Sequence, residues 1–148
     1  MGIHNDKHVF TEFEAWDGKT LKYHVDGAGP YLECLGKSNV PETKMYVSLW
    51  ICDRFPPGNP TCKLHSHNVE QFALYIGEPD TFEVIYNIVP PDVKVDNEWM
   101  APLKYQYRLR RTGGFYIPAG YQHNVFFVRI TKFPIYEIGI MPKPEYDK

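Results

Sequence analysis

The sequence predicts a single all-β domain, folded as a sandwich or a barrel, on three observations. Short runs of β-branched and aromatic residues are separated by turn residues along most of the chain. The 13 prolines are spread widely and leave little room for long helices. A length of 148 residues with 43% hydrophobic residues is enough for one core without covalent cross-links.

The first half of the chain contains two clear candidate strands. Near the N-terminus, the run from Val9 to Trp16 is the only stretch expected to form a helical turn or two. Tyr46 to Cys52 is rich in strand-forming residues and is followed by the proline- and glycine-containing residues 56–60. Gln71 to Ile76 forms the next candidate strand and ends at the turn residues 77–80. We therefore expect an N-terminal arm over residues 1–44 and a barrel that begins near residue 45.

The second half continues the strand pattern to about residue 140. Phe82 to Val89 is strongly β-forming and ends at two prolines. Tyr105 to Arg110 alternates apolar and polar residues, and Phe133 to Met141 does so in part. Residues 92–103 have no periodicity and are expected to form a loop or a lid. Neither a repeat nor a linker divides the chain, so residues 1–148 are assigned to one domain.

Composition and charge exclude several classes of function. Lys and Arg total 16 and Asp and Glu total 18, and no basic cluster is interleaved with aromatic residues, so we expect no nucleic-acid partner. No apolar run approaches the roughly 20 residues of a membrane-spanning helix, so we expect no membrane partner. The odd number of cysteines at irregular spacing indicates a reducing, cytoplasmic location.

Three histidines and a glutamine are the strongest functional signal. His65 and His67 are one residue apart, and residues i and i+2 of a strand point to the same face. Gln71 lies four residues later and keeps that parity. His123 follows a Pro-x-Gly turn, which places it at the end of a strand, where barrels hold their pockets. Three imidazoles and an amide oxygen predict a site for one divalent metal ion.

These residues lie in two motifs that resemble those of the cupin superfamily. The first cupin motif is matched in order by Gly58, His65, His67 and Gly77. The second motif is matched by Gly113, Pro118, Gly120 and His123. Gly58 in the first motif and Gly113 in the second are each offset by one residue from the cupin spacing. The resemblance covers about residues 45 to 140. It implies a jelly-roll β-barrel, also called a double-stranded β-helix, with the metal inside.

The fourth ligand position leaves two alternatives. Gln71 has the spacing from His67 that cupins give their acidic ligand, whereas Glu70 comes one residue early. In a regular strand Gln71 points inward and Glu70 outward, and a β-bulge at residues 68–69 would reverse the two. We favour Gln71. All protein ligands are then neutral, which favours zinc, with iron, manganese and nickel as alternatives.

The resemblance implies a metal-dependent enzyme that acts on a small organic molecule in the barrel cavity. The Lewis-acid or oxygenase reactions of such enzymes include isomerisation, cyclisation, lyase steps and dioxygenation, and the fold does not select among them. Glu70 and Tyr75 are the candidates for proton transfer. The alternative is a non-catalytic module that binds a metal or a small molecule. We also expect a homodimer, because the open edges of a jelly roll need cover.

Other polar residues are assigned lesser roles. Cys62 precedes His65 by three residues and is interpreted as a small buried hydrophobic residue rather than as a ligand. A short basic patch comprises Arg108, Arg110 and Arg111. We interpret it as a solvated strand end, and anchoring of a substrate carboxylate is the minority alternative. The histidines outside both motifs are expected on the surface, namely His4, His8 and His24.

Overall fold

The computed structural model of the chain describes residues 13–54 and 58–146, and it consists of two antiparallel β-sheets. The first sheet has six strands in the order β1 (Ala15–Trp16), β2 (Tyr31–Leu35), β3 (Tyr46–Cys52), β10 (Ile135–Met141), β5 (Gln71–Ile76) and β8 (Gly113–Ile117). The second has four in the order β4 (Asn59–Pro60), β9 (Gln122–Ile130), β6 (Phe82–Val89) and β7 (Gln106–Leu109). This is the jelly-roll architecture that the sequence predicts.

The strands with the densest β-forming sequence have the predicted bounds. Strands β3, β5 and β6 begin and end where the turn residues indicated. Strand β7 is shorter than predicted, because Tyr105 belongs to a 3-10 turn, Leu103–Tyr105. Strand β10 begins two residues after Phe133. Alternating burial along β3, β5 and β10 directs one face of each strand into the core.

The N-terminal segment differs from the sequence-based expectation. Ala15 and Trp16, expected in a helical turn, form β1 and pair with Leu32 and Tyr31 of β2. Residues 9–12 of that stretch lie outside the described residues. Strand β2 pairs in turn with β3, so residues before 45 extend the first sheet. The aromatic residues Trp16 and Tyr31 are ladder partners here, which a short isolated helix would lack.

Residues 92–102 form a loop, as expected, and they lie against the second sheet. Asn87 of β6 and Asn124 of β9 face each other, and the Asn87 side-chain amide donates a 2.7 Å hydrogen bond to the Asn124 side-chain oxygen. The Asn124 amide also donates to the carbonyl of Trp99, and the backbone N–H of Ala101 donates to the Asn87 side-chain oxygen. Two buried amides therefore anchor the loop.

The core is apolar and aromatic, and it lies on the inward faces of both sheets. Fully buried large side chains come from both of them, including Trp50, Tyr75, Phe82, Phe127 and Ile135. The described part of the chain contains no helix with the length and apolar character needed to span a bilayer. Packing of these large side chains fixes the inward direction of the neighbouring polar residues on the same strands.

Candidate metal centre

Two local interactions position the histidines. His65 and His123 form an isolated antiparallel bridge, in which the N–H of each donates to the carbonyl of the other at 3.1 and 2.7 Å. The N–H of Gly120 donates to the carbonyl of His67 at 2.7 Å, and Gly120 has φ +80°, as the Pro-x-Gly turn requires. His65 and His67 lie before β5 rather than within a regular strand. These contacts, and not strand parity, bring them together.

The three imidazoles converge inside the protein. One ring nitrogen from each of His65, His67 and His123 lies within 4.8 Å of the others, and the exposed fractions are only 6%, 3% and 2%. The Nδ1 atoms of His65 and His123 lie 2.7 and 3.1 Å from the carbonyl oxygens of Lys63 and Tyr121. Donation from Nδ1 leaves the Nε2 lone pair for a metal, the usual arrangement around histidine ligands.

The surroundings of the cluster favour neutral imidazoles, which are the form that binds a metal cation. Burial lowers the pKa of His123 well below its usual value, and the neighbouring His65 and His67 lower it further. A histidine held neutral keeps its lone pair for coordination, whereas a protonated one does not. The nitrogen donors and their convergence therefore fit a divalent metal ion.

The structure separates the two candidates for the fourth ligand. Gln71, the first residue of β5, is buried, and its Oε1 has no hydrogen-bond partner among the described residues. Glu70 is exposed on the outer side, where it accepts a 2.7 Å hydrogen bond from the Tyr116 hydroxyl. A bend at residues 68–69 does not invert the pair. Gln71 thus lines the same cavity as His65 and His123, whereas Glu70, a candidate for proton transfer, is not among the described residues that line it.

A small cavity adjoins the histidines. Its volume is about 30 Å³, roughly the space for two water molecules, and its walls include His65, Gln71 and His123. The remaining walls combine aromatic rings with small polar side chains, among them Tyr31, Tyr86, Tyr146, Ser48 and Thr61. None of residues 92–103 lines this cavity, so the loop is not a lid over it.

His24 lies at the site rather than on the surface, which corrects the sequence-based expectation. Its ring lines the cavity, 6.0 Å from the ring of His65 and 5.9 Å from that of Tyr146. Burial lowers the pKa of His24 to about 3. A bridge between His24 and Cys62 brings it there, a long-range pairing without a local signature in the sequence. His4 and His8 lie outside the described residues.

Glu137 is an ionisable residue of the cavity wall that the sequence analysis missed. It lies on β10 and lines the cavity, while the ring of Tyr75 on the paired strand β5 is fully buried beside it. Burial raises the pKa of Glu137 to about 7, and the Tyr75 hydroxyl opposes that rise. The position of Glu137 could have been predicted from strand parity, because it shares one face of an apolar strand with Ile135 and Met141, and that face points inward.

The other predicted polar residues divide between the cavity and the outside. Tyr75 packs against Tyr86 and Phe127 in the core and is not among the residues that line the cavity. Cys62 is buried in the cavity wall outside the histidine cluster, and burial raises the pKa of its thiol to about 12. The arginines Arg108 and Arg110 form ion pairs with Glu83, away from the cavity.

Comparison with known proteins adds evidence on the fold. No family model matches the sequence, and no curated protein does. Among solved structures, an oxalate decarboxylase studied for its substrate binding mode matches with a TM-score of 0.58 and 12% identity over 94% of this chain. An oxalate decarboxylase from Bacillus subtilis, studied for its Mn(II) centres, matches with a TM-score of 0.55 and 13% identity over 94% of this chain. The chain spans 31% of the length of each.

A third solved structure, a recombinant oxalate oxidase in complex with glycolate, matches with a TM-score of 0.52 and 16% identity. The match covers 96% of this chain and 62% of the oxalate oxidase chain. These neighbours are cupins, and the similarity extends over nearly the whole of the present chain. With two antiparallel sheets and a buried histidine triad at the position that both motifs predict, the chain has the jelly-roll fold of the cupin superfamily.

Proposed function

We propose that the protein is a divalent-metal-dependent enzyme that acts on a small organic molecule in the barrel cavity. The observation that carries this proposal is the combination of three buried histidines and the Gln71 amide oxygen with an ionisable group, Glu137, in the wall of the same cavity. Proton transfer to a bound molecule requires an ionisable group of this kind, and a carboxyl group is costly to place in a poorly solvated cavity without such a role or a ligand to pair with it. Lewis-acid or oxygenase chemistry is proposed, without a choice among isomerase, cyclase, lyase and dioxygenase.

His65, His67, His123 and Gln71 are the proposed ligands, and zinc is the preferred metal, with iron, manganese and nickel as alternatives. Four neutral ligands support that preference, since they leave the full charge of the ion uncompensated. When bound, such an ion supplies Lewis-acid stabilisation of negative charge on a substrate oxygen. Carbonyl oxygens of the backbone hold two of the imidazoles in orientation, which keeps the ligand set rigid.

The chain's own residues supply exclusion of water and a proton-transfer group. Tyr23 stacks on His65 with ring centroids 4.8 Å apart, and Tyr146 contacts His67 at 5.3 Å, so aromatic rings cover the ligands. Glu137 has a pKa of about 7, so both of its protonation states are populated near neutral pH. General acid–base groups are most effective in that range. Glu137 replaces Glu70 in this role.

The alternative, a module that binds a metal or a small molecule without turnover, is supported by one observation. The cavity of about 30 Å³ is small for a substrate and its products, and Tyr146 lies in its wall. A ligand larger than a few atoms would need this aromatic wall to move. Turnover of any small molecule by the metal-loaded protein would decide against this alternative.

We also propose that the protein is a homodimer. The outer side of the first sheet carries an uncharged row of side chains on four neighbouring strands, β3, β10, β5 and β8. We call it the outer apolar face, and it comprises Val47, Leu49, Ile51, Tyr136, Ile138, Ile140, Phe72, Leu74, Ile76 and Tyr116. An apolar face whose four strands carry no charged side chain, with Glu70 only at its edge beside Tyr116, is compatible with a copy of itself, as a two-fold interface requires. The free state of all three cysteines supports a cytoplasmic location as a further proposal.

Elemental analysis of the purified protein tests the proposed metal site. We expect close to one divalent metal ion per chain in the wild type and a loss of most of it in His123→Ala, because one of three nitrogen donors is removed. Cys62→Ala is the matched control, since Cys62 is equally buried in the same cavity wall and lies outside the ligand cluster. Equal metal content in wild type and His123→Ala would contradict the proposal.

A further inference from the structure

Glu137 occupies a fixed position in the cavity wall. Its strand, β10, lies between β3 and β5, and Glu137 is paired with Trp50 on one side and Tyr75 on the other. Backbone ladders on both sides prevent the residue from shifting along the sheet. Gly139, two residues further on the same face, also lines the cavity, and a Cβ there would lie 2.8 Å from the Ser48 hydroxyl oxygen. The absent side chain keeps space open beside the carboxyl group.

The carboxyl group of Glu137 has unused hydrogen-bonding capacity. Its Oε2 atom is shielded from solvent and has no partner of good hydrogen-bond geometry among the described residues, although the Tyr75 hydroxyl interacts with the carboxyl group. A shielded acceptor without a partner is destabilising, so such groups in folded proteins call for an explanation. The rings of Tyr31, Tyr75 and Tyr86 surround the carboxyl group closely enough for its charge to raise the pKa of each of their hydroxyls.

The cavity has no positive side chain to match this carboxyl group. Neither lysine nor arginine occurs among the described residues that line it, and the other ionisable lining groups are tyrosines, histidines and Cys62. A ligand that placed a second carboxylate here would bring two like charges together in a poorly solvated space, where their repulsion is strong. A ligand with a hydrogen-bond donor would instead satisfy the free oxygen atom.

We propose that Glu137 forms a recognition subsite for a hydrogen-bond donor, an amine or a hydroxyl, on a small molecule that also presents an oxygen atom to the histidine cluster. Tyrosine rings around a carboxylate favour a cation as well, through attraction to the ring faces. The subsite therefore selects small amines or alcohols of few non-hydrogen atoms and excludes dicarboxylates. This inference rests on the proposed function for the role of the histidine cluster.

The subsite is tested by titrating the protein with three probe molecules at millimolar concentrations and following the protein signals by NMR. Metal-free and zinc-loaded protein are both titrated, at a pH of about 8. Ethanolamine carries an amine donor, ethane-1,2-diol a hydroxyl donor, and oxalate no donor. We compare wild type with Glu137→Leu, which removes the acceptor, and with Glu137→Gln, which removes only the charge. Glu33→Gln is the matched control, because Glu33 is a buried glutamate on another strand of the first sheet and does not line the cavity.

We expect at least one donor probe to bind wild type and Glu33→Gln about tenfold more tightly than oxalate does, and Glu137→Leu to lose that preference. If Glu137→Gln also loses the preference for the donor probe, the recognised donor is an amine. If Glu137→Gln keeps the preference, the recognised donor is a hydroxyl. An unchanged preference in Glu137→Leu, equal binding of oxalate, or no binding of either donor probe overturns the subsite. Failure of the protein to take up zinc contradicts the proposed function alone, since the metal-free titrations still decide the role of Glu137.

Discussion

Gln71 and Glu70 are neighbours in the chain, but only Gln71 lies with the histidines. We expect Gln71→Ala to weaken zinc binding at least about tenfold, because an inward oxygen donor is lost, and Glu70→Ala to leave it unchanged. Competition titration with a chelator of known zinc affinity measures both. Glu70 contacts Tyr116 on the outside, so its variant also controls for the loss of a hydrogen bond next to β5. Weaker binding in Glu70→Ala alone would restore a carboxylate ligand.

The raised pKa of Glu137 predicts a pH dependence of stability. The carboxyl titrates near 4.5 when unfolded and near 7 when folded, so the unfolded state loses its proton first as the pH rises. Ionisation of Glu137 alone should therefore lower the stability by about 3 kcal/mol between pH 4.5 and 7, whereas the lowered pKa values of His24 and His123 in the same cavity act in the opposite direction. Tyr31, Tyr75, Tyr86 and Cys62 face the carboxyl group, and burial raises the pKa of each, so none of them titrates in this range.

Urea denaturation of metal-free wild type and Glu137→Gln at several pH values measures this effect. Because the other ionisable groups are common to both proteins, the difference in unfolding free energy isolates Glu137. We expect the variant to gain stability relative to wild type as the pH rises from 4.5 to 7. A difference that does not change with pH would show that the carboxyl group is solvated in the folded protein.

At the level of elements, the loop over residues 92–102 depends on Asn124. Its side-chain amide donates to the carbonyls of Cys62 and Trp99 at 2.9 Å each, joining the loop to the segment before His65. Asn124→Ala leaves two carbonyls unsatisfied, so we expect a loss of about 3 kcal/mol in unfolding free energy. Hydrogen exchange in residues 92–102 should accelerate, and zinc stoichiometry should persist because the loop does not line the cavity.

The neighbouring Gln122→Ala is the matched control for Asn124→Ala. The Gln122 side chain donates to the carbonyl of Val93 in the same loop, but at 3.4 Å and from a less buried position. We expect only a small loss of stability in this variant. If Gln122→Ala destabilised the protein as much as Asn124→Ala, the buried amide pair would not be the main anchor of the loop.

Elements with a strong local pattern were predictable from the sequence, and those that depend on pairing were not. Strands β3, β5 and β6 have predicted bounds because β-forming runs end at proline or glycine turns. The histidines of both motifs were found from short spacings. By contrast, His24 and Glu137 reach the cavity through the bridge to Cys62 and the register of β10, which are long-range contacts. The predicted helical turn at Ala15 and Trp16 was wrong, because these residues pair with β2 and form a strand.

At the scale of the whole molecule, the two sides of the first sheet have different chemistry. The inward side holds Gln71 and Glu137, and the outer apolar face carries no charged side chain on its four strands. Tyr136 lies at the centre of one row of that face, directly paired with Ile51 on β3 and Ile76 on β5. All three side chains are exposed, at 37%, 44% and 36%. Adjacent exposed apolar side chains of this kind mark interfaces.

We therefore expect Tyr136→Lys to convert a wild-type dimer into a monomer, with a dissociation constant raised at least about 30-fold. Two-fold symmetry places the new charge in the interface twice, and each buried ammonium lacks a partner on an uncharged face. Sedimentation velocity over a range of concentrations measures the change. Tyr107→Lys is the matched control, because Tyr107 is 49% exposed on β7 of the other sheet. A monomeric wild type, or dissociation caused equally by Tyr107→Lys, would contradict assembly through the outer apolar face.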